Sequence, residues 1–450
     1  MFGAYGSAVR LDTPTFACAL MLIVVLGCVP HSPYDRAHLS AALTQRTGHG
    51  LRGATGTEQL VPPGIVLTDG ITEDEAVAIA LWNNATFQAD LAALGVARAD
   101  LVEAGMMRNP IFTLLLPLGP KQLEFTTTIP FEAIWQRPRR IAAAKLDVER
   151  VAGNLAQSGL DLVRTAKLSY ADAALAADRL ALARESSGLM IRILRISEAQ
   201  LRVGEISQLE VGAVRVEGRR ADLEVKRHER EVAARLETFR AVLGIEDRAL
   251  LVALHVEPPE PRVLGDVEAA VNEALALRPD LRSAELHLEA NGARSSWETS
   301  RAIPSAGLVV DANGSGSQGF ELGPGLTLEL PLFNQNRSGM LRADAEIERA
   351  QWAYQATRQR ISLEVRQGFI RYVQASEGLE MLRAAILPDL EASIRLAEKT
   401  FAAGESSLLF ILETARRSVE ARVLEAETVA ELRRAAAELD RGIGRKRING

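Results

Sequence analysis

The chain has almost no cysteine. Its 450 residues include two, Cys18 and Cys28, both within the first 28 positions. No disulfide can staple the rest of the chain, and a cysteine-built zinc or iron–sulfur centre is excluded. Aromatic residues are scarce at 5%. Positive charge is not in excess either: the net charge of -6 leaves no basic surface for phosphate backbones, so a nucleic-acid partner is not expected. Beyond the N-terminal region no apolar run reaches 18 residues, so no transmembrane helix is expected. Any deep membrane contact must come from β-strands. What is present is a folded-protein composition, 47% hydrophobic and 24% charged, rich in the Ala, Leu, Arg and Glu of long helices.

Residues 16–29, FACALMLIVVLGCV, form an apolar run preceded by Arg10. A helix of that length spans roughly 21 Å, short of the ~30 Å hydrocarbon core. A basic start followed by a short apolar core reads as a secretory signal over 1–27. The run ends in Val25-Leu26-Gly27-Cys28, a lipobox-like ending in which cleavage precedes the cysteine and its thiol is acylated, palmitate included. Residues 28–71 are polar and punctuated by Gly and Pro, which predicts an extended arm rather than a core element.

From there the chain aligns with itself. Val77, Ala80, Leu81 and Pro110 match Val271, Ala274, Leu275 and Pro304 at an offset of 194. Ile129-Pro130 pairs with Leu330-Pro331, Glu149-Arg150 with Glu348-Arg349, and Val203-Gly204-Glu205 with Ala403-Gly404-Glu405, at offsets of 199 to 201. This is a tandem duplication. Its copies are placed at 72–244 and 266–443, with a Pro-containing linker at 245–265 and a tail at 444–450.

Each copy has one plan: a helix (Thr72 to Arg108; Asp266 to Ala302), a β-hairpin (111–131; 306–332), a very long helical tract (Arg137 to Arg202; Arg337 to Ala402), a Gly-Glu break and a return helix (Ile206 to Leu243; Ser406 to Ile443). Thr72-Glu73-Asp74-Glu75 predicts a capping box. At 1.5 Å per residue a 66-residue tract is about 100 Å long, a rod rather than a globular element. Pro388 predicts a kink, and its counterpart Gly188 predicts a bend at the same level of the first copy. In the hairpins Leu123, Phe125, Thr127, Ile129 and Phe131 alternate with polar residues or proline, as do Leu326, Leu328, Leu330 and Leu332. Period-2 alternation gives one apolar and one polar face. Four strands cannot close a barrel, whose practical minimum is eight, so closure requires several copies.

Two sharper motifs have plainer readings. Gly314-Ser-Gly316-Ser-Gln-Gly319 spells a dinucleotide fingerprint, but a strand rather than a helix follows it, so a hairpin loop is expected. The six histidines, His31, His38, His49, His228, His255 and His287, have no metal-site or catalytic spacing. Neither an enzyme nor a cofactor or metal site is expected.

The phrase Leu330-Pro331-Leu332-Phe333-Asn334-Gln335-Asn336-Arg337-Ser338-Gly339 and the tip phrases Val203 to Leu209 and Ala403 to Leu409 resemble the TolC family of outer-membrane efflux proteins. The likeness covers about residues 60 to 443. It implies a mainly α fold with a small β part: tandem helical hairpins forming a periplasmic α-barrel, and four strands per chain in a twelve-stranded outer-membrane barrel of a homotrimer. It implies a lipid-anchored exit duct in the cell outer membrane, working with a periplasmic adaptor and an inner-membrane pump. Cys28 would be the lipidation site, and Gly204, Glu205, Gly404 and Glu405 the adaptor-contacting tips. Glu413, nine positions after the tip glycine, would be a pore gate with Glu210 as its nearest acidic counterpart, since Ala213 occupies the equivalent place. Three such carboxylates round an axis would raise one another's pKa. Phe131-Glu132 and Arg137-Pro138-Arg139-Arg140 resemble the heavy-metal-cation branch. The rival reading is a lipid-anchored periplasmic coiled-coil adaptor, with one helical hairpin flanked by compact β-domains.

Overall fold

The computed structural model describes residues 30–53, 61–116, 123–246, 253–259, 262, 264–303, 305–314 and 320–446. The signal segment, Cys28 and residues 315–319 of the Gly-rich stretch lie outside these residues. The helices are α1 (Arg36–Thr47), α2 (Glu73–Asn83), α3 (Ala85–Gly105), α4 (Ala133–Arg202), α5 (Gln208–Leu243), α6 (Val267–Leu277), α7 (Pro279–Ser300), α8 (Arg337–Met381), α9 (Leu387–Ala402) and α10 (Leu408–Ile443). The strands are β1 (Ile111–Leu115), β2 (Glu124–Pro130), β3 (Ala306–Gly314) and β4 (Phe320–Leu328). Two compact units divide the chain, and each draws on both copies of the repeat. One comprises Met1–Asp35, Ala92–Gly153 and Arg282–Gln355; the other Arg36–Leu91, Asn154–Leu281 and Ala356–Gly450.

The expected extended arm is corrected: its middle is α1, with Leu39 and Leu43 in the core. A Cβ on Gly159 of α4 would stand 2.7 Å from a Leu43 methyl, so this glycine is what lets α1 lie against α4. The single first helix of each copy is also corrected, to two. Asn84 ends α2, and its Oδ1 accepts from the Phe87 N–H at 3.0 Å as the cap of α3. Arg278 stands between α6 and α7 because Pro279 drives the preceding residue out of helical geometry and then opens the next helix. The predicted capping box is present, with Glu75 N–H to Thr72 Oγ1 at 3.3 Å and Thr72 N–H to Glu75 Oε2 at 2.9 Å.

The matched bend of the two copies is half right. Pro388 cannot donate a backbone bond, and just before it Leu382–Ile386 takes π-helical spacing, with Leu387 N–H bonding Leu382 C=O. Gly188 keeps its N–H, and α4 runs through it unbroken. The duplication is therefore asymmetric at this level. Along α4 the buried residues are largely small, among them Ala166, Ala171, Ala173, Ala174 and Ala176. Alanine lets helix axes approach closely, which accounts for the scarcity of aromatic rings.

The strands form one antiparallel sheet in the order β1-β2-β3-β4. Its register decides what alternation alone leaves open, namely which residues share a face. Phe112, Thr127 and Val310 lie in one cross-strand row, Leu114, Phe125 and Ala312 in another, and Ile129, Leu308 and Leu326 in a third. That face is almost wholly apolar. The other is mixed, carrying Glu124, Thr126, Thr128, Asp311 and Thr327 beside Ile111, Leu115 and Val309, with Thr126 Oγ1 donating to Asp311 Oδ1 at 2.9 Å. β1 is exposed along its whole length and β2 is half-buried throughout. β4 ends at Leu328, short of the expected Leu332.

Candidate functional site

Two features stand out as candidates for function: the two-faced sheet and the helix tips. Sequence locality builds the tips. Gly204 and Gly404 have φ of +82° and +76°, a conformation glycine adopts without steric cost. Glu205 N–H bonds Gln200 C=O at 3.0 Å and Gly204 N–H bonds Leu201 C=O at 3.1 Å; Glu405 to Thr400 at 2.9 Å and Gly404 to Phe401 at 3.0 Å repeat the pattern. Each long helix thus ends in a Schellman turn that satisfies its last carbonyls. Ser207 and Ser407 then cap the return helices α5 and α10.

The tips are joined to each other. Gln200 Nε2 donates to Phe401 C=O at 2.8 Å, and a Cβ on Gly404 would stand 3.6 Å from a Glu205 carboxylate oxygen. Beneath them Ile193, Val214, Phe401 and Ile411 form a shared apolar core. Glu205 and Glu405 are exposed, and so are Val203, Leu209, Leu409 and Phe410. All four expected tip residues therefore come together at one end of this bundle.

The gate candidates are less free than the sequence implies. Glu210 is the acidic member of a capping box: its Oε2 accepts from Ser207 N–H and Ser207 Oγ, each at 2.8 Å. That backbone bond first, and the hydroxyl second, hold its carboxyl below the usual range. Glu413 is clamped by Arg416, at 3.1 Å through both Nε and Nη2, and by Arg417 Nε at 2.9 Å. Hydrogen bonds from Arg416 first and Arg417 next lower its pKa. Within one chain the direction is opposite to that expected of mutually repelling carboxylates. Arg416 and Arg417 were missed, although their i+3 and i+4 spacing from Glu413 is the signal that finds them.

Gly314 ends β3 and pairs with Phe320 at the start of β4, so the GxGxxG stretch connects two antiparallel strands. The histidines are dispersed: His49 meets Asp74 at 2.9 Å and His228 meets Glu231 at 3.1 Å. Among the described residues no three His, Cys, Asp or Glu side chains converge on a metal-sized site, and no helix is long and apolar enough to cross a membrane.

The model of the outer membrane efflux protein family matches residues 270–445. The cobalt-zinc-cadmium resistance protein CzcC of Cupriavidus metallidurans is 22% identical over 385 residues, covering 83% of this chain and 90% of that protein. The outer membrane efflux proteins are thus the family this chain resembles. Its fold agrees with solved structures. The outer-membrane channel OprN has a TM-score of 0.73 at 18% identity, covering 93% of this chain and 98% of that one. CusC has 0.70 at 17%, covering 87% and 97%. This efflux protein is an outer-membrane channel and not an enzyme. The rival adaptor reading is corrected, because the four strands form one sheet shared by two hairpin copies rather than compact β-domains.

Proposed function

We propose that this efflux protein is the outer-membrane exit duct of a three-part export system for divalent heavy-metal cations, and that it works as a homotrimer. The observation that carries the trimer is the sheet. Among the described residues β1 pairs only with β2 and β4 only with β3, which leaves two edges and an apolar face without a partner. Edges are removed by closure, and three four-stranded sheets supply twelve strands, beyond the minimum for a barrel. The apolar face then meets lipid and the polar face lines water. Uncovered apolar side chains at heptad spacing on α5, Leu209, Val216 and Leu223, fit helix contacts between copies in the periplasmic extension.

The tips Gly204, Glu205, Gly404 and Glu405 contact the periplasmic adaptor, which links the duct to an energised inner-membrane pump. Cys28 is the lipid anchor. In support, a Cβ on Gly105, six residues before the start of β1, would overlap Pro30 at 2.2 Å, so the chain just after Cys28 packs at the sheet-side end of α3. Glu413, with Arg416 and Arg417, lines the closed entrance. The cation substrate rests on the likeness to CzcC. Deleting the gene should lower tolerance to cobalt, zinc or cadmium while leaving tolerance to organic antibiotics unchanged. Unchanged metal tolerance sinks the substrate, and a wild-type protein that fractionates as an inner-membrane monomer sinks the duct.

A further inference from the structure

The start of β1, the end of β2, the start of β3 and the end of β4 lie together at one end of the sheet. Phe131 N–H to Ala306 C=O at 2.7 Å and Glu329 N–H to Ser305 C=O at 3.0 Å mark this rim. Every helix attached to the sheet leaves from it, and each of the four junctions carries an exposed apolar side chain beside an arginine. Met106 precedes Arg108 at β1, and Ile134 precedes Arg137 at β2. Arg301 accompanies Ile303 at β3, and Phe333, wholly exposed, precedes Arg337 at β4.

The rim is positive in a chain that is negative. Residues 103–110, 131–142, 298–303 and 329–342 contain seven arginines, no lysine and four glutamates, against a net charge of -6 for the whole chain. Two of those glutamates are engaged internally: buried Glu132 with Arg108 at 3.0 Å, and Glu298 with Arg301 at 3.0 Å. Arg337 and its neighbour Arg342 are exposed and have no partner among the described residues. The long helices α4 and α8 both begin here with no acidic residue in the first turn. Arginine at the positive end of a helix is locally unfavourable, so an anion held near Arg337 and Arg342 would be stabilising there.

We infer that this rim is a binding collar for anionic glycerophospholipids, its arginines holding headgroup phosphates and its apolar side chains entering the acyl boundary. The inference rests on the reading of the sheet as the membrane-crossing element. Lipid is the occupant because the rim continues the membrane face: Leu326 and Leu328 of the apolar face run on into exposed Leu330 and Leu332. Guanidinium forks match phosphate oxygens in pairs, and a basic ring with an apolar neighbour is the pattern of interfacial anchoring.

The test uses the purified full-length protein in neutral detergent, titrated with phosphatidylglycerol or phosphatidylcholine and read by native mass spectrometry. Preferential retention of phosphatidylglycerol that weakens with salt is expected. The double variant Arg337→Gln/Arg342→Gln, which touches neither internal pair, should weaken that retention at least tenfold, given roughly fivefold per basic residue at an anionic surface. Arg337→Lys/Arg342→Lys should retain most of it. Equal retention of both lipids, or an unchanged double variant, overturns the collar. So does full competition by inorganic phosphate at millimolar concentration, which would mark a simple anion site, and binding of a periplasmic protein in place of lipid. Fractionation of the same variants separates the two readings. A heat-modifiable outer-membrane oligomer without lipid preference refutes the collar alone, and absence of the wild type from the outer membrane refutes the duct beneath it.

Discussion

Asp440→Asn should destabilise this protein more than any change in its exposed ion pairs. The Asp440 carboxylate is almost inaccessible, and each of its oxygens takes a different cation: Lys167 Nζ at 3.0 Å on Oδ2 and Arg262 Nη1 at 2.7 Å on Oδ1. Lys167 is equally buried, and its only other ion-pair partner among the described residues is Glu73, at 3.6 Å. Burial works against the Lys167 charge, but Asp440 and then Glu73 outweigh it and hold its pKa above the ordinary lysine value. Each close pair is worth about 5 kcal/mol gross at an effective dielectric near 20. Most of that offsets desolvation. Removing one partner is nevertheless expensive, about 3–5 kcal/mol, because the remaining charges stay buried without compensation. The heat-denaturation midpoint of the detergent-solubilised protein should fall by roughly 5–9 °C, using ~2 cal/mol/K of unfolding entropy per residue for a unit of nearly 300 residues. The control is Glu268→Gln, which breaks the exposed pair with Arg366 at 3.0 Å and should give no resolvable shift. Because a raised lysine pKa stabilises below the unfolded value and is lost as pH rises through the folded one, the gap between wild type and Asp440→Asn should narrow above about pH 10.4. Equal shifts for the two variants refute the reasoning.

Other outcomes follow from local geometry. Glu413→Ala releases Arg416 and Arg417, so bilayer reversal potentials should move toward anion preference, and Arg416→Ala/Arg417→Ala should move them toward cations; no change in either removes Glu413 from the conducting path. Gly204→Ala or Gly404→Ala forces a side chain into positive φ and should cost about 1 kcal/mol each, read as a lower denaturant midpoint. Asp74 accepts from His49 at 2.9 Å and is bridged by Lys446; the His49 bond first lowers its pKa, followed by further contributions from Lys446. A depressed carboxylate stabilises above its unfolded pKa, so the advantage of wild type over Asp74→Asn should hold at neutral pH and shrink as pH falls below about 4. An advantage independent of pH between 2 and 7 contradicts that assignment.

Much of the fold was legible because it is locally encoded. The tip turns need only a glycine after a long helix and a serine cap, and both copies state them at an offset of 200. The strands announce themselves through alternation. α1 was misread because its polar composition hides two core leucines whose burial depends on a glycine more than a hundred residues away. The break at Asn84 is hidden because apolar periodicity runs straight across it, whereas the break at Arg278 is signalled by Pro279. The clamp on Glu413 is local, since Arg416 and Arg417 stand one turn away at i+3 and i+4, whereas its place in a ring of three depends on other chains.

By itself the sequence determined the duplication, the helix and strand types, the reversals at Gly204 and Gly404 and the apolar–polar alternation of the strands. Those follow from backbone sterics and periodicity, which act over a few residues. Tertiary structure alone decided the rest. Register set the β2–β3 pairing, which joins the two copies into one sheet, so that the compact units cut across the repeats rather than following them. It also gathered Glu73 and Arg262, distant in sequence, round the buried Lys167–Asp440 pair. Charges removed from water are tolerable only with partners at contact distance, and only the folded chain brings those partners together.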